Sequence, residues 1–469
     1  MLTKRTRCRI GAALTAVGTI AVLPAAQASA GPTSTSYSGT TTDGGSWVGD
    51  VPSTWNGTVL LYSHGMGPLE AADAPLPAAR VGLLAAGYAL VGSSYDPTGS
   101  EWALGSALDD QFQALADFEK DLPSAPKQVV AYGISMGGLI TALEDEQTNG
   151  RLDGVLTACG VVAGGVVLKN YELDGEYAIT RLLAPSEPVQ LVGFANAADA
   201  VQTAKVLDAA ARQAQATGSG RARLALAMAF SNVPTWAPSA VMPGPKAYAA
   251  QEAQQFAFEF SGTSTTLDEV ELFRASMEQA AGGNPSWTAG VNFAQLLEGS
   301  PYATEVRALY KQAGLNLGSD LAVLTSGANI KADTNAVQWL EDTSVPTGRL
   351  QVPELDMHTI ADQLAPVQQE NYYASTVQEA GASGLLRQVF VQRQVHCNFT
   401  FAELLAGVLA VRHRISTGQW GSSSNPAELE GTANRLGLDG AAFDYYRPGP
   451  LSGVNGTFDP SADGTMPSS

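Results

Sequence analysis

Five consecutive residues, Gly133-Ile134-Ser135-Met136-Gly137, carry the clearest chemical signal in the sequence. In a GxSxG pentapeptide the two glycines permit a sharp strand-to-helix turn, which lifts the serine hydroxyl above its surroundings where a larger neighbour would collide. A hydroxyl presented in this way is a nucleophile for acyl transfer once a base takes its proton and a carboxylate holds that base. The bland alternative is a Gly137-Gly138 helix start that serves packing alone. Context separates the two. The apolar run Gln128-Val129-Val130-Ala131-Tyr132 predicts a strand ahead of Ser135, and residues 136–146 predict a helix behind it, which are the surroundings the turn requires.

The elements further out repeat this order. Residues 58–63 form a short apolar run entering a Gly-rich turn at His64-Gly65-Met66-Gly67. A helix predicted near 78–86 leads to a second run over 88–95. A helix over 103–122, with Leu104, Leu108, Phe112, Leu115 and Phe118 at helical spacing, precedes the strand before Ser135, and residues 154–159 form the strand after it. Such alternation predicts an α/β protein with a mostly parallel sheet flanked by helices, and open sheets of this kind place their sites at strand carboxyl ends, where Ser135 falls. From 166 to 349 the strand pattern stops, and Ala/Gln/Leu/Glu-rich stretches at 200–217, 221–230 and 267–281 predict a large helical cap inserted after the sixth strand. Thr266 with Glu269 reads as a capping box, so Asp268, Glu269 and Glu271 belong to a helix start and not to a substrate site. Strand pattern returns at 350–358, followed by a helix near 367–381, a strand at 387–391 and a last helix over 400–415. The expected organisation is a leader at 1–30, core at 31–165, cap at 166–349, core at 350–450 and a flexible tail at 451–469.

The leader reads as an export signal: Lys4, Arg5, Arg7 and Arg9, then an apolar run over 10–23, then Ala28-Ser29-Ala30 before Gly31. The run is shorter than the ~20 residues a membrane span needs, so cleavage and secretion are expected, with no integral membrane segment in the mature form. The 469-residue chain has a net charge of −19, and losing the four leader cations makes it more acidic still. A field of that sign argues against nucleic acid or anionic membranes as partners. With 45% hydrophobic and 15% charged residues the chain is globular. The mature part keeps Cys159 and Cys397. In an oxidising compartment one bridge is the economical reading, and two buried free thiols are the alternative.

The order of strands, nucleophile and cap resembles the α/β-hydrolase superfamily, over nearly the whole mature chain. That resemblance implies a histidine base after the last strand, a place His396 occupies; of the other three histidines, His64 lies in the Gly-rich turn, His358 ends a strand, and His413 sits between Arg412 and Arg414. It implies an aspartate after the seventh strand, and the loop around Asp362, with Ala365-Pro366 behind it, matches better than Asp356, which falls within the strand. It implies an oxyanion hole made by the backbone N–H of Met136 and by the His64-Gly65-Met66-Gly67 loop, assigned to Met66 with Gly65 as the near alternative. Cys159 and Cys397 should both lie on the serine's side of the sheet, where a disulfide would pin the histidine loop. Tannases and feruloyl esterases bridge a cysteine before the serine to one after the histidine, but here Ile134 precedes the serine.

These readings predict hydrolysis of a small-molecule or polymeric carboxylic ester through an acyl-enzyme. No HExxH, CxxC, phosphate loop or GxGxxG after a strand is present, so no cofactor and no metal is expected. An exopeptidase or amidase is the alternative, with Glu172, Asp174 and Glu176 as candidate ligands for an amino terminus. A binding protein that keeps the fold and has lost the chemistry is the third reading.

Overall fold

Alternating residues of each central strand face opposite sides of the sheet, and here both sides are apolar, so helices must cover both. A computed structural model describes residues 33–455 apart from 263–264 and 439; the expected leader and the chain from 456 onward lie outside the described residues. The order is β1 (Ser34–Thr40), β2 (Ser46–Pro52), β3 (Thr58–Ser63), α1 (Pro77–Ala85), β4 (Ala89–Ser93), α2 (Ala107–Asp121), β5 (Gln128–Ile134), α3 (Met136–Glu146) and β6 (Gly154–Ala158). Helices then run from α4 (Gly165–Leu183) through α5 (Ala197–Ala214), α6 (Gly218–Phe230), α7 (Tyr248–Phe260), α8 (Thr266–Ala281), α9 (Phe293–Gly299), α10 (Ala303–Ala313) and α11 (Leu317–Gly327) to α12 (Thr334–Ser344). The chain ends with β7 (Glu354–Ala361), α13 (Gln368–Glu379), β8 (Leu386–Gln394), α14 (Phe401–Thr417), α15 (Pro426–Arg435) and β9 (Phe443–Asp444).

The sheet order is β1-β2-β4-β3-β5-β6-β7-β8-β9, parallel from β4 to β8 and antiparallel at both edges. Leu60, Tyr62, Val130, Tyr132 and Leu156 meet Leu83 and Leu84 of α1 and Leu405 and Val408 of α14 on one face. Val59, Leu61, Val91, Val129 and Ala131 meet Phe112, Leu115 and Phe118 of α2 on the other. The cap has a core of its own, with Leu173, Leu207, Leu224, Phe230, Phe293, Val306 and Leu324 buried together.

Two expectations change. The capping box of α8 is one residue earlier, because Thr265 accepts from Asp268 N while Thr266 Oγ1 donates to Phe258 O. Residues 451–455, expected to be flexible, are tied to the cap: Asn232 exchanges two hydrogen bonds with Ser452 at 2.9 and 3.0 Å, Leu451 and Ser452 are buried, and Asn455 Nδ2 donates to Trp287 O.

The interior holds many carboxyls. Burial pushes Glu144, Glu259 and Glu305 up to about 8 and Asp145 and Glu252 up to about 7. Between the ordinary carboxylate value near ~4 and these raised values the folded chain binds more protons than the unfolded chain, so stability falls as pH rises through that window. Thermal unfolding followed from about pH 5 to pH 8 should show a falling midpoint. A midpoint that rises across this range would contradict the burial of these groups.

Candidate active site

Strand register assembles the site. β5 lies between β3 and β6, with Ser63 opposite Gly133 and Ile134 opposite Ala158. The next residues along each strand, His64, Ser135 and Cys159, therefore share one stretch of the sheet's carboxyl edge. β7 follows, with Ala158 opposite Met357, and its end pairs with β8 through Ala361 and Gln394, which brings Asp362 and His396 to the same edge.

Ser135 has φ 59° and ψ −126°, a conformation that a non-glycine residue keeps only when its surroundings enforce it. They do so by close backbone contact. A Cβ on Gly137 would lie 1.9 Å from Ser63 O, and one on Gly133 would lie 2.1 Å from Gly137 O. Ser135 N donates to Ala158 O at 3.1 Å, while its carbonyl accepts from Gly138 N at 2.9 Å. The serine thus caps α3, and Met136 N–H points out of a helix N-terminus with no intrahelical acceptor.

Ser135 Oγ lies 2.8 Å from His396 Nε2, and His396 Nδ1 lies 2.7 Å from Asp362 Oδ2. With Nδ1–H donated to the carboxylate, Nε2 is free to accept the serine proton. Asp362 Oδ1 accepts from Leu364 N and Ala365 N at 3.0 and 2.9 Å. Burial pushes the Asp362 carboxyl up, yet His396 and His358 beside it outweigh burial and hold it well below the usual carboxylate range. Asp356, the competing aspartate, is engaged elsewhere: it accepts from Thr157 Oγ1 at 2.7 Å and from Gln388 Nε2 at 3.1 Å.

The turn carrying His396 is strained on both sides, with φ 78° at Val395 and 53° at Cys397. It is pinned accordingly. Val395 N donates to Ala361 O at 2.9 Å, Thr359 Oγ1 to Val395 O at 3.2 Å, and His396 N to Gln363 Oε1 at 3.1 Å. Cys397 is bonded to Cys159 in a disulfide, with Cα atoms 5.3 Å apart. Cys159, His396 and Cys397 are also the group of metal-ligating residue types that comes together among the described residues. The bridge leaves neither sulfur a thiolate, so this group lacks the donors that bind a metal.

On the other side of Ser135 the Gly-rich turn passes close: a Cβ on Gly65 would lie 3.2 Å from Ser135 Cβ. Burial lowers the His64 imidazole from its ordinary value, which favours the neutral ring, and its Nδ1 lies 2.8 Å from Gly65 O. The ring stacks on Tyr95 at 4.1 Å, and Tyr95 OH donates to His64 O at 3.0 Å. The peptide is planar and trans, so fixing the Gly65 carbonyl also fixes where Met66 N–H points. The order of the parallel strands, the serine turn after β5 and the insertion between β6 and β7 decide the fold. It is that of the α/β-hydrolase superfamily.

No family model matches the chain. An o-phthalyl amidase from Xanthobacter agilis is 28% identical over 343 residues, covering 68% of this chain and 74% of that one. Among solved structures, the feruloyl esterase B of Aspergillus oryzae aligns with TM-score 0.39 and 11% identity, over 77% of this chain and 73% of that one. The cell wall degrading esterase LipA of Xanthomonas oryzae aligns at 0.36 and 15%, over 81% and 89%. The Pyrococcus horikoshii acylaminoacyl peptidase aligns at 0.34 and 11%, and 82% of this chain spans only 39% of that one. The fold assignment stands on this chain's own strand order.

Two of the three cap acids named from sequence, Glu172 and Glu176, are held by cap cations. Lys169 Nζ lies 2.6 Å from Glu172 and Arg274 lies 2.8 Å from Glu176, with all four side chains buried. Asp174 is fully buried, with Gly453 packed near it. The cap aromatics Tyr177, Phe258, Phe260 and Trp287 are buried in its interior, whereas Tyr171 is buried against the core, its OH accepting from Gln369 Nε2 at 3.2 Å. Three supporting residues were not singled out from sequence: Gln363, Thr359 and His358. Only Gln363 carried a signal, its place directly after the candidate acid. His358, expected to end its strand, lies inside β7 and is completely buried.

The disulfide closes a ring across a sequence separation of 238 residues. Replacing both cysteines by serine should cost about 5 kcal/mol by loop-closure entropy. The readout is the urea midpoint, and a midpoint equal to that of the wild type would show that the bridge adds no constraint.

Proposed function

We propose that this protein is a serine hydrolase that cleaves carboxylic esters. The observation that carries the reading is the unbroken row Ser135, His396 and Asp362, joined at 2.8 and 2.7 Å. Ser135 Oγ attacks the acyl carbonyl as His396 Nε2 takes its proton, and Asp362 holds the imidazole in the tautomer that can do so. The negative charge that develops on the carbonyl oxygen is received by the N–H groups of Met136 and Met66, which the α3 terminus and the His64 contact hold in place beforehand. His396 returns its proton to the leaving alkoxide. Water then attacks the acyl-enzyme by the same route in reverse, releasing the acid and the free serine.

A second reading, amide hydrolysis, is favoured by the name of the Xanthobacter relative. The residues are the same, but an amine is a poorer leaving group than an alkoxide, so proton delivery from His396 to nitrogen must precede its departure. The basic leader at 1–30 and the disulfide support export to an oxidising compartment, where the bridge persists.

Ser135→Ala should lower turnover of a chromogenic ester by roughly 10⁴-fold or more and abolish labelling by a fluorophosphonate. Activity retained in this variant would rule out Ser135 as the nucleophile. A wild-type protein that no serine-directed probe labels would leave the binding-protein reading standing. An ester and an anilide of one acyl group, compared by kcat/KM, separate the first two readings.

A further inference from the structure

Asp362 is approached by two imidazoles. His396 Nδ1 lies 2.7 Å from Oδ2, and His358 Nε2 lies 3.5 Å from the same oxygen. His358 Nε2 is also 2.7 Å from the carbonyl oxygen of Ala365, and a carbonyl can only accept, so this nitrogen carries a proton. The other ring nitrogen, Nδ1, is 2.6 Å from Glu370 Oε1. Glu370 Oε2 accepts from Gln388 Nε2 at 2.7 Å, and the same amide nitrogen reaches Asp356 Oδ2 at 3.1 Å. His358, Asp356, Asp362 and Glu370 are each at most 1% exposed. Isolated charges at such depth are costly, whereas alternating ones hold each other.

We propose that His358 is a positioning residue, an imidazolium clamped between Asp362 and Glu370 that fixes Asp362 for His396 and offsets part of its charge. This rests on the Ser135–His396–Asp362 reading above. Two carboxylates flank one ring, and a second proton on that ring makes the row carboxylate, imidazolium, carboxylate. A neutral ring would keep its Nε2–H there but would leave the charge of Asp362 with no cation behind it. The offset matters for catalysis because His396 must be unprotonated to accept from Ser135. A bare buried carboxylate would favour the protonated ring, and a cation on its far side opposes that.

The surrounding charges agree. Burial opposes charge on His358, but hydrogen bonds and charge from Asp362 and Glu370 outweigh it and raise the group well above the ordinary imidazole value. Burial and then Glu370 raise Asp356, which favours its neutral acid form, so it does not compete as a second counterion. Burial and Asp145 raise Glu354, on the same strand, in the same way. From the cap, Tyr171 of α4 is near Asp362 and burial keeps its hydroxyl protonated, while Glu269 of α8 is near enough to His396 to feel its charge.

The test uses the full-length protein and two variants, His358→Gln and Glu370→Gln, with kcat/KM on a chromogenic ester measured across about pH 4 to 9. The first removes the cation and the second removes the carboxylate that holds the proton on His358 Nδ1, leaving that ring neutral, so in both the acid limb should move to higher pH, by about one unit, while plateau kcat stays within several-fold. A wholly structural role would lower the plateau and leave the limb in place, and that outcome overturns the proposal. Nitrogen NMR of the wild-type ring gives a second readout independent of how the variants fold: both His358 nitrogens should be protonated with no titration across the same range, and a neutral ring overturns the proposal. Loss of the Ser135 reading would appear instead as an active Ser135→Ala protein, without touching the His358 NMR signal.

Discussion

A contact between backbones governs the serine's side of the site. The first turn of α3 lies so close to the ends of β3 and β5 that no side chain fits at Gly137 or Gly133. This closeness is what makes the turn at Ser135 stable in a conformation that costs of order 1–3 kcal/mol in isolation. It also determines the neighbours. With α3 seated there, Ser135 N reaches Ala158 O, the loop after β3 passes within contact of the serine, and Cys159 falls at the next strand end. The sheet and helix pack over their whole length, and that packing is the source of free energy holding a few strained residues in place.

The histidine's side is built on different physics. There the backbone is again forced into left-handed conformations, at Val395 and Cys397, but hydrogen bonds and one covalent link hold it. Beneath it the core is polar where a parallel sheet is usually apolar, with Glu354, Asp356, His358 and Glu370 all buried along β7 and α13. Each has a named partner, including Tyr373 OH at 3.0 Å from Glu354 and Thr157 Oγ1 at 2.7 Å from Asp356. A network satisfied in this way is rigid, because any rearrangement strands a donor or a charge in low dielectric.

What could be read from the sequence was whatever is local. The pentapeptide at Ser135 identifies itself because its constraint lies within five residues, and the runs at β3, β4, β5 and β6 are apolar enough to stand out. Asp362 and His396 were implied by the family resemblance and not by any local pattern, and the structure sets them 2.7 Å apart. β1 and β2 were missed, since β1 is a mostly exposed edge strand of Ser, Thr, Gly and Tyr whose pairing is with a neighbour, not a core. α15 and β9 were lost in a Gly/Ser/Pro-rich stretch for a similar reason. The pairing of Ser452 with Asn232 spans 220 residues and no local pattern contains it. His358 is the sharpest case. Its role depends on Glu370 from the next helix and on a carbonyl from the intervening loop, and neither has a meaning until the strand is folded against the helix.

The cap leaves the sheet after Ala158 and re-enters at Glu354, on strands that are hydrogen-bonded neighbours with Ala158 opposite Met357. Parallel pairing sets Glu354 opposite Val155, three residues back from Ala158, so the two attachment points lie roughly 11 Å apart, and the sheet is indifferent to what lies between them. Closing such a loop costs only slowly more as it lengthens. The cap is in this sense an exchangeable cassette. Ser135, Asp362 and His396 all stand at strand ends of the sheet, so the insertion can change in length or sequence without moving the strands that place them.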